Sequence, residues 1–498
     1  MIINNPSYKS LKNIARKMPN LRLTEWDNYN IITRVNSRSP QSTFIVDDEN
    51  SSLSTIDRVK YEEFAKLQDS YLEKIGALRI DGSIGISQKI RASASLFIEK
   101  TYPSIAAMQK QLFFPVKGNF KPDFKIVYTP NFPAINWPEG RCILVDLKNF
   151  TTRIAGTDYF GESKKAGLRM WNKWVYDRGG LALHAGCNTY TDNQKKEYSI
   201  IIIGLSGTGK TTTTFTPHSN SLPVQDDFCA FFPDGKIYAS ENGCFAKTFN
   251  LDPVNEPLIH SGLTKSNAWL ENTFTGSKGR VDFTNDTHST NGRGTFELDS
   301  IPHGNLHDIS TLRLIFILNR NYDILPSIVK LTHAQAAAYF MLGETTGTSA
   351  GGNTEAGKAL RIPGTNPFFP MNHTLQGNRF LNLLEQSPNV DVFLLNTGYI
   401  GGEAGIKSPL KVTIHHTKQL IESLLRNELK WEIDDDFGYL RVSENTSPVE
   451  RIFIDPKEWY RRSERIEEYD AIKRKLICDR KDFLLSFKYL DTRIVQAI

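Results

Sequence analysis

Chemistry is concentrated most densely between residues 198 and 216. The run that ends at Ile203 is short and rich in isoleucine, which predicts a strand buried on both faces. Directly after it, Gly204-Leu205-Ser206-Gly207-Thr208-Gly209-Lys210-Thr211 fills the G-x-x-x-x-G-K-[ST] pattern, and Thr212 follows. Glycines here let successive backbone N–H groups turn inward around phosphate oxygens, where a Cβ atom would block the approach. Lys210 is then expected to reach the β- and γ-phosphates, and the Thr211 hydroxyl to complete the shell of a Mg²⁺ ion. A Gly-rich turn closing a βα unit is the bland alternative, and the strand placed before the motif argues against it.

The other residues able to do chemistry are individually weaker signals. Leu222 to Phe228 is a short strand ending in Asp226 and Asp227, where P-loop folds place a second metal-binding acid, although two adjacent acids also suit a turn. Lys164 and Lys165 are adjacent, ordinarily the mark of a solvated face. His184 ends an apolar strand, and Arg38 lies in a polar, proline-punctuated loop before Phe44-Ile45-Val46.

The elements that must position these groups read as alternating strands and helices. Apolar positions Val59, Phe64, Leu67, Tyr71, Leu72 and Ile75 predict a helix over 57–75. Asp81-Gly82 reads as a tight turn, and a second helix is expected around 90–99. Strands are expected at 124–128, 141–145, 312–318 and 391–395, with a hairpin around Asn242-Gly243. Thr332-His333-Ala334-Gln335 is a capping box opening a helix through Met341. Residues 343–357 have the composition of a mobile loop or lid, and the tail from about 456 is helical in period. This pattern predicts an α/β fold with a P-loop mononucleotide-binding domain. The expected division is 1–185, a substrate-side α/β domain, and 186–498, the P-loop domain with its lid and helical tail.

Composition bounds the class. A chain of 498 residues, 39% hydrophobic and 23% charged, matches a two-domain enzyme. A net charge of +5 permits anionic substrates without calling for nucleic acid. Five widely spaced cysteines without a C-x-x-C pair suit a reducing compartment. With no signal-peptide pattern and no long apolar run, a cytoplasmic protein without membrane contact is expected.

Taken in order, the motifs resemble those of ATP-dependent phosphoenolpyruvate carboxykinases. They are Arg38-Ser39-Pro40 with Phe44-Ile45-Val46, Tyr159-x-Gly161-Glu162-x-Lys164-Lys165, His184, the loop 204–212 and Asp226-Asp227. Gly243 to Thr248, Glu256-Pro257, Leu270 to Asn272, Arg293, Leu325-Pro326, Lys330 to Thr332 and Leu395 to Gly398 continue the series. The resemblance implies the two-domain carboxykinase fold and the reversible conversion of oxaloacetate and ATP to phosphoenolpyruvate, CO₂ and ADP by a monomer. It implies a protein-bound Mn²⁺ held by Lys165, His184 and Asp227, with Lys164 and Lys210 helping to depress the pKa of Lys165. Mg²⁺ would travel with the nucleotide at Thr211. Arg38 would bind the substrate carboxylate, Tyr159 would lie against substrate or CO₂, and Arg293 would face the transferring phosphoryl group. Asp226 joins this catalytic set, and nucleotide contacts would run from Gly204 to Thr212 and include Glu256, Arg293 and Thr354. A related kinase acting on another small acid or a protein hydroxyl is the alternative, motivated by the sequence after Arg38-Ser39-Pro40.

The chain departs from the family pattern in several places, among them the loop Asn319 to Asp323 and the segment Ala359 to Pro370. Gln41-Ser42-Thr43 stands where the family usually has Lys-Asp-Lys, and the lid reads Ala350-Gly351-Gly352-Asn353-Thr354-Glu355-Ala356, with glycine where an arginine usually packs on adenine. A cation–π contact of that kind is worth about 0.5–2 kcal/mol, so its loss weakens nucleotide binding by about two- to thirtyfold. Gly351→Arg should therefore tighten ATP relative to tripolyphosphate in a competition assay. An unchanged ratio in a folded, active variant would show that the base is held elsewhere.

Overall fold

The computed structural model describes residues 1–49, 51, 53–118, 121–205, 207–346, 359–402 and 409–498. Among the described residues it is a mixed α/β fold built on two eight-stranded sheets and a five-stranded one, together with one three-stranded and three two-stranded sheets. The first large sheet runs, edge to edge, Ile2–Asn4, Ala77–Ile84, Ala92–Glu99, Phe124–Thr129, Thr151–Ala155, Cys142–Asp146, Thr43–Val46 and Thr55–Ile56. The second runs Ser221–Gln225, Ala185–Thr191, Glu197–Ile203, Leu312–Asn319, Asp391–Asn396, Ile328–Leu331, Leu440–Val442 and Trp431–Ile433.

In the second sheet the three central strands Glu197–Ile203, Leu312–Asn319 and Asp391–Asn396 are parallel. Their residues alternate between two cores, as the period of two requires. Ile201, Ile203, Ile315, Ile317, Val392 and Leu394 join the main core, which also takes in the helix His333–Leu342. Ile200, Ile202, Phe316, Leu318, Phe393 and Leu395 pack with Leu420, Ile421 and Leu425 of the helix Ile414–Leu425. The isoleucine run before Gly204 is therefore covered on both faces. Thr332 and Gln335 form both halves of the capping box of the helix His333–Leu342.

The five-stranded sheet joins distant parts of the chain. Tyr29–Ile31 pairs in parallel with Trp269–Glu271, which pairs with Arg293–Glu297, which in turn pairs with Gly243–Lys247. Among the described residues no helix is long and apolar enough to cross a membrane.

Three local expectations are corrected. Asp81 and Gly82 lie inside the strand Ala77–Ile84, and the expected helix at 90–99 is the strand Ala92–Glu99. The Ser95 hydroxyl donates to the Asp81 carboxylate at 2.5 Å across this ladder. Gly82 serves packing: a Cβ there would lie 2.4 Å from Cβ of Phe113, at the end of the helix Pro103–Leu112. Ala92, Ala94, Leu96 and Ile98 face the core at strand spacing, and their small side chains conceal that alternation in the sequence. Asn242-Gly243 closes no hairpin, because Ile237–Ala239 and Gly243–Lys247 belong to different sheets.

The expected lid begins as a strand, Glu344–Thr346, paired antiparallel with Ala359–Arg361. The rest of it, including Gly351 and Thr354, lies outside the described residues. The helical tail packs back onto this ladder. Arg480 of the helix Ile466–Leu485 is fully buried and grips Glu344 with two bonds, of 3.0 and 2.7 Å. Its third nitrogen donates to the Tyr339 hydroxyl at 3.2 Å. Among the described residues, Arg480→Leu leaves the Glu344 carboxylate with only Arg361 and Asn319 to answer it. We expect a loss of about 3–5 kcal/mol in urea unfolding. A midpoint within error of wild type would show that the tail contributes nothing to the stability of the ladder.

Candidate active site

Topology brings three separated loops to one end of the second sheet. Ala185–Thr191 lies between Ser221–Gln225 and Glu197–Ile203 and runs antiparallel to both. The residue before it, His184, therefore meets the residues after the other two, Gly204 and Asp226-Asp227. The turn after Ile203 leads into the short helix Lys210–Phe215, with Gly207 and Gly209 at φ of 85° and 94°, a region that side chains disfavour.

From the first large sheet comes the helix Phe160–Asp177, with Tyr159 at its N-cap. Helical spacing puts Glu162, Lys165 and Arg169 on one face. The lysine pair is buried, against the expectation for adjacent lysines. Arg38 arrives on the loop before Thr43–Val46, and Arg293 opens its strand in register with Lys247 and Glu271.

The charges converge on Asp227. Lys165 Nζ bonds to its carboxylate, and Lys164 Nζ lies 2.8 Å and Lys210 Nζ 2.6 Å from it. His184 Nε2 is 3.1 Å from Oδ1. Behind them, Glu241 sits 3.1 Å from Lys164. Burial alone would push the Asp227 carboxyl up, but the three lysines outweigh it and hold it well below the usual carboxylate range. Lys164 is also buried, yet its acidic neighbours Asp227, Glu241 and Asp226 raise it above the ordinary lysine value. Lys165 behaves oppositely. Burial and the charges of Lys164 and Lys210 bring it down to about 7, against the pull of Asp227. Burial and Lys210 lower His184 to about 3, so its imidazole is neutral, and its Nδ1 is buried without a hydrogen-bond partner.

Among the described residues no three His, Cys, Asp or Glu side chains gather as a metal cluster. The donors here are instead one carboxylate, one neutral imidazole and one amine that sheds its proton near neutrality. That set suits a borderline-hard divalent cation.

A cavity of about 470 Å³ opens beside this cluster. Its lining includes Arg38, Tyr159, Lys165, His184, Leu205, Gly207, Gly209, Lys210, Thr211, Thr212, Asp226, Asp227 and Arg293, so most of the residues singled out in the sequence meet here. Lys164 stands behind Asp227, outside the lining. Gly204 and Thr208 belong to the turn, and Glu256 touches the site through the Thr212 hydroxyl at 2.5 Å. Ser206 and Thr354 lie outside the described residues.

Sequence reasoning gave no role to several residues that meet here, one of which, Glu271, enters it only as part of a motif. Phe368 is 2% exposed, and its ring carries Lys165 at 4.2 Å and Arg38 at 4.9 Å. Phe228 lies under Lys165 from another side at 5.0 Å, and Glu271, pushed up to about 8 by burial, holds the N–H of Phe160 at 2.8 Å. Nothing in the local sequence around Phe368 marks it, because its place depends on how a distant segment folds over the lysine.

A family model described as phosphoenolpyruvate carboxykinase matches residues 1–451. The chain belongs to that family. Among curated relatives, the phosphoenolpyruvate carboxykinase (ATP) of Caldanaerobacter subterraneus subsp. tengcongensis is 29% identical over 503 aligned positions, covering 94% of this chain and 93% of that protein. The phosphoenolpyruvate carboxykinase (ATP) of Aeropyrum pernix is 29% identical, covering 86% of each chain. That of Afipia carboxidovorans is 29% identical, covering 81% of this chain and 77% of its own.

The aromatic setting of Lys165 yields a direct expectation. Phe368→Asn admits water and should move the lysine upward toward its ordinary value, since burial is the largest cause of the depression. Reaction with pyridoxal phosphate followed by borohydride should half-saturate near pH 7 at Lys165 in wild type and at clearly higher pH in the variant. An unchanged profile would mean that the ring does not set the lysine's environment.

Proposed function

We propose that this protein converts oxaloacetate and ATP to phosphoenolpyruvate, CO₂ and ADP, reversibly. The observation that carries the reading is the Asp227 cluster, with its low-pKa lysine and neutral histidine, opening onto the same cavity as Arg38, Arg293 and the 204–212 turn. Membership of the carboxykinase family supports it. The 204–212 segment acts as a P-loop, and the division near residue 185 separates a substrate side from a nucleotide side that share the cavity.

In this reading the turn's backbone N–H groups and Lys210 hold the β- and γ-phosphates, and Mg²⁺ accompanies the nucleotide at Thr211. Lys165, His184 and Asp227 would hold Mn²⁺. When bound, that ion supplies fixed positive charge beside the developing enolate. Lys164 stays protonated behind Asp227 and fixes the direction of its carboxylate. Arg38 binds the substrate carboxylate, a task suited to a guanidinium fork. Tyr159 lies against substrate or CO₂, and Arg293, braced at 2.8 Å by the Asn291 side-chain oxygen, faces the transferring phosphoryl group. The C–C bond to the departing carboxylate breaks, its electron pair becomes the enolate, and the enolate oxygen displaces ADP from the γ-phosphorus. No proton is gained or lost in that net exchange, so the site needs orientation and charge rather than a general acid. The reading carries with it a monomeric, cytoplasmic enzyme.

The test is a coupled assay with oxaloacetate, ATP, Mn²⁺ and Mg²⁺, read as phosphoenolpyruvate and CO₂ together. Product no greater than that of Lys210→Ala would sink the proposal. Lys165→Arg keeps the charge but cannot deprotonate to ligate. Turnover and Mn²⁺ affinity should both fall by about 10- to 100-fold or more. Because Lys165 must lose its proton, wild-type Mn²⁺ affinity should rise as pH increases through about 7. A fully active Lys165→Arg would remove the lysine from the ligand set.

A further inference from the structure

Arg169 plays no part in the reaction described above. It lies one helical turn beyond Lys165, on the same face, lines the same cavity and is 3% exposed. Its guanidinium carbon is 5.7 Å from the centre of the Phe368 ring, the ring that also carries Arg38 at 4.9 Å. One acid answers it, Glu162, whose Oε2 is 3.4 Å from Nη1, a long contact for a charged pair. The Nε–H of Arg169 is buried with no hydrogen-bond partner. The other oxygen of Glu162 accepts the Ser39 N–H at 2.7 Å, next to Arg38 in the chain. Among the described residues no carboxylate forms an ion pair with Arg38.

Two guanidiniums, that of Arg169 buried and that of Arg38 half-buried, therefore share one aromatic ring at the wall of the cavity, and among the described residues Glu162 is the one carboxylate that pairs with either of them. Burial and the charge of Arg38 both push the Arg169 guanidinium below the ordinary arginine range, against Glu162. Arginine does not escape by deprotonating, so uncompensated positive charge at such a site calls for an anion. An unpartnered N–H in a planar fork is shaped to receive a carboxylate oxygen.

We propose that Arg169 is a second substrate-binding guanidinium, which holds a carboxylate of the acid substrate jointly with Arg38. This rests on the carboxykinase reading of the cavity. The competing role is that of a positioning residue, in which Arg169 only steadies Glu162 and, through it, the loop bearing Arg38. The two differ in sign at Glu162. Glu162→Gln keeps an acceptor for the Ser39 N–H but removes the competing negative charge.

The probe is oxalate, titrated calorimetrically with Mn²⁺ present, alongside KM for oxaloacetate, phosphoenolpyruvate and ATP. Arg169→Gln should weaken oxalate and raise KM for the acid substrates by about 10- to 100-fold, the range for a hydrogen bond to a charged group. KM for ATP should stay within about twofold, and Arg169→Lys should fall between Arg169→Gln and wild type because it keeps charge without the fork. Glu162→Gln should tighten oxalate. Should Arg169→Gln fail to fold, the Arg169→Lys and Glu162→Gln measurements decide alone. Oxalate affinity within twofold of wild type in folded Arg169→Gln, or in Arg169→Lys, overturns the inference. So does a loosening of oxalate in Glu162→Gln, or a wild-type protein that binds no oxalate. A wild type that binds oxalate but makes no phosphoenolpyruvate would refute the reaction while leaving the role of Arg169 in anion binding intact.

Discussion

A single buried carboxylate, that of Asp227, holds the site together. Three lysine nitrogens and an imidazole meet on its two oxygens, in surroundings too dry for any of them to be left alone. Because one negative charge cannot satisfy three lysines equally, the cluster divides them. Lys164, with Glu241 and Asp226 also near, keeps its proton, whereas Lys165, walled by Phe228 and Phe368, gives its proton up near neutrality. Adjacent residues of identical type thus acquire opposite chemistry from what surrounds them.

The rest of the fold serves to keep that carboxylate in place. The antiparallel strand Ala185–Thr191, set between two others, brings His184, the 204–211 turn and Asp227 to one end of the sheet without a long connection. The helix Phe160–Asp177 delivers the lysines from the other large sheet. The five-stranded sheet, which takes Tyr29–Ile31 from the start of the chain and Arg293–Glu297 from its middle, ties Arg293 to the same frame. Further out, the Arg480–Glu344 pair fastens the helical tail to the ladder of Glu344–Thr346 and Ala359–Arg361.

Much of this was legible in the sequence, for a local reason. The 204–211 motif, the Asp226-Asp227 strand end and the capping box at Thr332 are short patterns whose geometry follows from their own residues. The convergence of Arg38, Tyr159, Lys165, His184 and Arg293 was legible only through family resemblance, since no periodicity links positions so far apart. Phe368, Glu241 and Arg169 stayed hidden because each matters through a neighbour supplied by tertiary folding. Secondary structure failed where packing overrode local preference. Gly82 reads as a turn residue but is there to admit Phe113, and the small residues of Ala92–Glu99 conceal a strand whose inward face is fully buried. The lysine pair misleads in the same way, since only the buried acids around it distinguish it from a solvated face.

The most direct test of the account is a crystal grown with Mn²⁺ and examined by anomalous scattering at the manganese edge. The account predicts one strong peak bonded to Lys165 Nζ, His184 Nε2 and a carboxylate oxygen of Asp227, with Lys164 held back against Asp227 and Glu241. A peak elsewhere in the cavity, or one at Asp227 with Lys165 turned away, would contradict the central claim that this lysine is neutral and ligating.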